Sequence, residues 1–308
     1  MEKENYQSAF EPHGDIGSWY CANNEATSKS SDMRYTIIQS FWTKPLLKHQ
    51  EKLKDTLYIA ALSLAFAHRS GYRVHMHTDS KGAELLKGFG YESLLTTLDS
   101  IPNTVPAELF AAGKFYAMRA EGIGKVHIDY DVFLKKPGVI DRFYEKSETV
   151  DAICQGEEDM TLVNHQDKAE HMYVMGYPAG TRPDWKGSMN TGIVGFNNSV
   201  LADRYIGNYF EALEMYNEEK FAKYKQENPR ACLTFDFILE QITLSCMSIG
   251  YNMYVLLPTK EPTPVADKIG YQHLQGSFKW TNFAKKKVRQ LLYEIDRKLY
   301  DAVHKIPR

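Results

Sequence analysis

A chain of 308 residues with 43% apolar and 25% charged residues can bury a sizeable core, which excludes a disordered protein. A formal charge of −2 leaves no overall basic footprint for a nucleic acid, so no nucleic-acid partner is expected. The longest apolar stretch, residues 57–67, is too short to span a bilayer and reads as a buried helix. The four cysteines, Cys21, Cys154, Cys232 and Cys246, are scattered without C-x-x-C or metal-finger spacing. They are expected as thiols in a reducing, cytoplasmic setting.

Residues 1–32 are polar, weakly periodic and without the apolar core of a signal peptide, so they are expected to form an N-terminal extension. Residues 35–41 predict a first strand. Pro45 then opens a long helix to about His68, at a position where its missing N–H costs nothing. Gly71 stops that helix, residues 72–78 predict a second strand, and Asp79 or Ser80 caps a short helix. A weaker strand follows near 93–97, then a helix over about 107–120. Residues 127–134 read as a buried strand ending in two carboxylates, Asp129 and Asp131. Side chains alternate along a strand, so the pair is expected on one side with Tyr130 pointing away. Like charges that close repel unless a cation lies between them. Mg²⁺ or Mn²⁺ suits such a pair, typically with substrate phosphates completing its shell.

Residues 151–155 predict another strand. Residues 156–188, rich in Gly, Pro and charge, have no clear period and are expected to be a mobile flap. An Asn190-x-Gly192 turn is expected to open a strand over 189–197. Helices are predicted over about 199–224 and 234–248, the second carrying Glu240 and Gln241, and a last strand over 253–257. This alternation predicts an α/β fold, a mostly parallel sheet flanked by helices, with ligands at the carboxyl ends of the strands. Farther on stands His273-Leu-Gln-Gly276-Ser-Phe-Lys279. A neutral imidazole can complete a cation site, a Gly backbone can approach a phosphate closely, and Lys supplies a point charge for a diphosphate. Over about 283–304, Val288, Leu291, Leu292, Ile295, Leu299 and Val303 form one apolar stripe beside Lys285, Lys286, Lys287, Arg289, Arg297, Lys298 and Lys305. This C-terminal amphipathic helix either packs on the rest of the chain or lies peripherally on the inner face of an anionic membrane. The expected division is therefore 1–32, a catalytic domain over 33–280, and a basic helix over 281–308.

In the order of these motifs the chain resembles GT-A-fold glycosyltransferases, most closely the retaining glycogenin and lipopolysaccharide galactosyltransferase group. The matches run from Lys114 and the Asp129/Asp131 pair through Asn190-Thr191-Gly192 and Glu240-Gln241 to His273/Gly276/Lys279. Departures are the bulky Tyr130, Glu240 where the group commonly has Asp, Trp280 directly after Lys279, and a first strand offering Gln39 and Ser40 but no acid. The resemblance implies transfer of a sugar from a nucleotide-sugar donor, UDP-linked as a family expectation, to a glycan, lipid-linked or other acceptor, with retention of configuration. It implies Mn²⁺ or Mg²⁺ on Asp129, Asp131 and His273, and catalytic work at Asp129, Asp131, Glu240 and Gln241. Donor-diphosphate contacts fall to Lys114, Asn190, Gly192, Gly276 and Lys279. Glu157, Glu158, Asp159 and Glu240 are candidate bases should transfer invert. Tyr173, Tyr177 and Trp185 in the flap are candidates to stack on sugars. A sugar-phosphate nucleotidyltransferase is the rival reading, but residues 39–44 lack the glycine its phosphate loop needs. A non-catalytic nucleotide-sugar or glycan-binding protein is the other, and it would need no metal triad.

Overall fold

Buried apolar residues along Tyr35–Phe41 (β1) and Tyr72–Thr78 (β2) build a parallel pair, in register from Tyr35 opposite Tyr72 to Phe41 opposite Thr78. The computed structural model describes residues 35–47, 50–159, 187–214, 236–258, 262–274 and 276–307, with single positions at 219, 223 and 226. Between β1 and β2 run α1 (Thr43–Leu47) and α2 (Gln50–Arg69). Helix α2 is almost continuously buried from Leu57 to Ala67. A helix apolar on all sides has to be covered on all sides. The strands lie against one face of α2 and the C-terminal helices against another.

After β2, Asp79 caps α3 (Ser80–Leu86) by accepting from Gly82 N at 2.7 Å, and also binds Thr43 N and Oγ1 beyond β1. Next come β3 (Ser93–Leu95), a 3-10 turn (Thr97–Ser100), α4 (Ala112–Glu121), β4 (Val126–Ile128), β5 (Val132–Leu134) and α5 (Asp141–Glu145). Strands β6 (Ala152–Asp159) and β7 (Gly187–Phe196) lead to α6 (Ser199–Glu214), a π-helical turn (Ile238–Ile242), α7 (Thr243–Met247) and β8 (Met253–Leu257). The chain then passes through α8 (Pro262–Ile269), β9 (Tyr271–His273), a second 3-10 turn (Gly276–Trp280), α9 (Asn282–Ile295) and α10 (Arg297–Lys305). Among the described residues the central sheet has seven strands in the order β3-β2-β1-β4-β7-β6-β8, mostly parallel, with β7 antiparallel to both neighbours. A second sheet pairs β5 with β9, antiparallel. The expected α/β architecture is the one observed.

Several local expectations are corrected. Residues 127–134 are two short strands, β4 and β5, with Asp129, Tyr130 and Asp131 in a turn between them, because Val132 N bonds back to Asp129 O at 2.9 Å. The Asn190–Gly192 segment lies inside β7 instead of opening it. Both ends of the expected flap are strand: Gly156, Glu157, Glu158 and Asp159 belong to β6 and pair with Asn190, Met189, Ser188 and Gly187. The rest of the flap, with Tyr173, Tyr177 and Trp185, lies outside the described residues, as do the extension 1–32, Cys21 and Cys232. Strand β9 was not expected; three residues beside a glycine carry too little periodicity to read.

The single C-terminal helix is two. Asp296 leaves the helical conformation (φ −145, ψ 91) and caps α10 by accepting from Leu299 N at 2.9 Å. Val288, Leu291, Leu292, Leu299 and Val303 are buried in the core that holds α2. Lys285 and Arg289 grip Asp55 of α2, and Lys54 Nζ reaches the carbonyls of His304 and Ile306. Lys286, Arg297, Lys298 and Lys305 face solvent. Among the described residues, no helix is long and apolar enough to cross a membrane.

Candidate metal centre

Three backbone links bring Asp129, Asp131 and His273 together. Pairing of β4 with β7 sets Ile128 opposite Ile193, and Asp129 N donates to Gly192 O at 2.9 Å. The turn then lifts Asp131 to the start of β5. Pairing of β5 with β9 sets Val132 opposite His273, and Leu274 N donates to Asp131 O at 2.9 Å. One potential ligand atom from each side chain lies within 4.8 Å of the others. Two carboxylates and an imidazole at that spacing fit Mn²⁺ or Mg²⁺ in chemistry and in reach. Tyr130 meets the Phe41 ring edge-on at 5.8 Å; the turn, and not the expected strand alternation, places it there.

Two lysines flank the cluster, Lys114 buried and Lys279 half-buried. Lys279 Nζ is 2.6 Å from Asp131 Oδ2, and His273 Nε2 is 3.3 Å from Asp131 Oδ1. Burial raises the Asp131 carboxyl, but Lys279 and His273 outweigh it and hold the group well below the usual carboxylate range. Lys114 Nζ is 3.0 Å from Asp129 Oδ1, donates to Thr191 O at 2.8 Å and pairs with Glu240. Burial, together with the charges of Glu240 and Asp131, overcomes Lys114 and pushes Asp129 up to about 6. The two carboxylates of one turn are thus driven apart, as expected of like charges in a confined space. Burial works against charge on Lys114 as well, yet Asp129 and Glu240 keep it protonated and its pKa raised.

The remaining expected residues fall into two groups. Gly276, at φ +58, opens the 3-10 turn that carries Lys279, a backbone conformation glycine adopts without penalty. Gly192 lies against His273 and Glu240 shares Lys114 with Asp129, while Asn190 and Gln241 bond within and onto β7. Asn190 Oδ1 accepts from Gly192 N at 2.8 Å. Opposite them the β6–β7 ladder slips: β7 spends residues 191–193 where β6 spends only Gln155. The Asn-Thr-Gly segment is therefore an irregularity in a strand, a feature common beside functional sites. A Cβ on Gly192 would sit 2.5 Å from Gln155 Oε1 and 2.6 Å from His273 Cε1, so only glycine leaves room for both. Glu240 lies buried in the π-helical turn, its carboxylate held by Lys114 and the Thr191 hydroxyl and its carbonyl by Tyr205. Gln241 Oε1 accepts from Ser188 Oγ at 3.3 Å. Such π turns often mark functional positions.

Sequence reasoning missed Gln155, Asp236 and His127, and gave Thr191, inside the Asn190-Thr191-Gly192 match, no role of its own. Gln155 Oε1 contacts His273 Nδ1 at 2.9 Å. Asp236 accepts from Ala111 N and the Tyr209 hydroxyl, tying the loop before Lys114 to the π turn; burial pushes its carboxyl well above the usual range. His127 bonds Ser40 Oγ at 2.9 Å, and burial with nearby Lys114 pushes it well below the usual imidazole value. Gln155 and Asp236 stand in no motif, and His127 stands beside one without being part of it. Only strand pairing and helix docking bring them in. Gln39 belongs to the core instead: its amide donates to Ser63 Oγ, which donates to Val132 O.

Fold and cluster together define the class: an α/β protein with an acidic and histidine cation-type cluster beyond the carboxyl end of β4. The chain belongs to DUF6734, described as a family of unknown function, whose match spans residues 33–306. No curated protein matches it. Among solved structures it is similar to mouse xyloside xylosyltransferase 1 in its apo form, at 12% identity and a TM-score of 0.39, over 72% of this chain and 84% of that one. The likeness to the glycogenin and lipopolysaccharide galactosyltransferase group stays one of motif order.

Proposed function

We propose that the protein is a divalent-cation-dependent glycosyltransferase. Its donor would be a nucleotide sugar, UDP-linked, its acceptor a glycan or lipid-linked molecule, and its stereochemistry retaining. One observation carries this reading: Asp129, Asp131 and His273 present ligand atoms within 4.8 Å of one another, with Lys279 and Lys114 on either side. Asp129, Asp131 and His273 would hold Mn²⁺ or Mg²⁺, which when bound supplies Lewis-acid stabilisation of a departing diphosphate. Lys279 has its ammonium on Asp131 and stands beside the glycine-opened turn. It is suited to take a phosphate oxygen as partner and to share the charge that develops there. Lys114 is enclosed by Asp129, Glu240 and Thr191, so its part is to hold the Asp129 carboxylate in place. Glu240, paired and buried, is an anchor and not a free base. That supports retention, in which the leaving phosphate itself accepts the acceptor proton. Peripheral membrane contact is not part of the proposal, because the stripe that would enter a bilayer is covered by α2. A cytoplasmic site belongs to the same proposal, on the scattered cysteine spacing, which has no C-x-x-C or disulfide-framework pattern.

The test is a panel of nucleotide sugars with Mn²⁺, Mg²⁺ or chelator, read by release of nucleoside diphosphate. Release from one donor that requires the cation, and falls by about 100-fold or more in Asp131→Asn, is the expected result. Absence of release from every donor, or release indifferent to chelator, would contradict it.

A further inference from the structure

Gln155 is buried, 6% exposed, and its Oε1 lies 2.9 Å from His273 Nδ1. A carboxamide oxygen can only accept, so the hydrogen in that contact belongs to Nδ1. The opposite ring nitrogen, Nε2, is then the edge turned toward Asp131 Oδ1 at 3.3 Å. The arrangement is built into the backbone. Gln155 is the single residue of β6 facing residues 191–193 of β7, so the slip in the ladder leaves its side chain free to reach across to β9. Beneath it, Gly192 has no Cβ where the Gln155 oxygen and the His273 ring would meet one.

We propose that Gln155 is a positioning residue: by accepting from His273 Nδ1–H it holds the imidazole with Nε2 as the atom offered to the cation. The inference rests on the reading of Asp129, Asp131 and His273 as a divalent-cation site. A coordinating imidazole generally needs an oxygen acceptor on its second nitrogen, which fixes ring orientation and tautomer. The choice of an amide over a carboxylate also has a physical reason. Among the described residues, Asp129, Asp131 and Glu240 have two lysines between them, Lys114 and Lys279, so a neutral acceptor avoids adding a fourth negative charge.

The probe is Mn²⁺ alone, added to the full chain with ¹⁵N-labelled histidine. Affinity is read by calorimetry and coordination by the histidine-nitrogen coupling in pulsed electron paramagnetic resonance. Gln155→Met keeps length and volume but removes the acceptor; Gln155→Glu restores it. Wild type and Gln155→Glu should show the nitrogen coupling. Gln155→Met should bind Mn²⁺ about 10- to 100-fold more weakly and lose the coupling, with its thermal midpoint close to wild type. Should Gln155→Met not fold, Gln155→Ala puts the same question. Unchanged affinity and coupling in the acceptor-free variant would overturn the positioning role while leaving the cation site standing. A wild-type protein that binds no Mn²⁺, or binds it without nitrogen coupling, would instead sink the cation site, and the role of Gln155 with it.

Discussion

Lys114 is the residue on which the charge pairing beside Asp129 depends. With 5% of its surface exposed, it holds Asp129 and Glu240 and caps the Thr191 carbonyl. Removing one partner from a buried charge group leaves the others uncompensated, at a cost of about 3–5 kcal/mol. Lys114→Met should therefore lower unfolding free energy by roughly that amount in urea titration; a loss under about 1 kcal/mol would mean that solvent already shields the pair. Gly192 makes a sharper case. Gly192→Ala places a methyl where Gln155 Oε1 and His273 Cε1 now lie, at 2.5 and 2.6 Å, so ring and amide have to move. Mn²⁺ affinity should fall about tenfold or more, while Gly207→Ala, with open space around it, should leave it unchanged. Equal affinities would contradict the close fit. At this scale the sequence was informative about the ligands themselves, because Asp129, Asp131 and His273 carry chemistry in their side chains. It was silent on Gln155 and Asp236, whose roles come wholly from what lies opposite them.

At the level of elements, strands with long apolar runs and the helix over residues 57–67 were legible because burial leaves a period in the sequence. What was not legible is where a period breaks. The turn at Asp129–Asp131, the slip opposite Gln155 and the cap at Asp296 are each decided by a hydrogen bond to a partner distant in sequence or across a single turn. The stripe of α9 and α10 shows the limit of amphipathicity as evidence: the pattern says that one face is covered, and only packing says by what. Leu292 is fully buried in the core shared with α2. Leu292→Ala should cost about 2–5 kcal/mol, read as a lower thermal midpoint and an earlier urea transition. A change below about 0.5 kcal/mol would put that face in solvent and reopen the membrane reading.

For the molecule as a whole, the buried His77 and the half-buried His68 tie stability to pH. Burial keeps His68 and His77 below their ordinary imidazole values. His77 bonds Thr97 of the 3-10 turn and Glu121 of α4; Glu121 also takes His75 of the same strand and Lys125. Burial raises Glu121, but these partners outweigh it and bring it to about 2. The signs follow from proton counts. Between the ordinary imidazole value and the lower folded ones, the unfolded chain binds more protons, so stability rises with pH and falls on acidification through about 6.5. Each histidine contributes at most about 1.4 kcal/mol per pH unit. Glu121 adds a second loss only at lower pH, from about 4.5 downward toward its folded value near 2. Asp129 and Asp236, raised by burial, act with the opposite sign in this range, so the histidine contribution is read by difference: the urea midpoint lost between pH 7.5 and 5 should be smaller, or the gain larger, in His77→Gln than in wild type. Parallel profiles in the two proteins would refute the assignment.

The central claim is that Asp129, Asp131 and His273 form a cation–diphosphate site. It is tested most directly by calorimetric titration of UDP into wild type and Asp131→Asn, with Mn²⁺ present and with chelator. The account predicts binding to wild type that depends on Mn²⁺, and a loss of about 100-fold or more in Asp131→Asn, which keeps the volume of the side chain but not its charge. Mn²⁺-independent binding, or equal affinity in the two proteins, would contradict it.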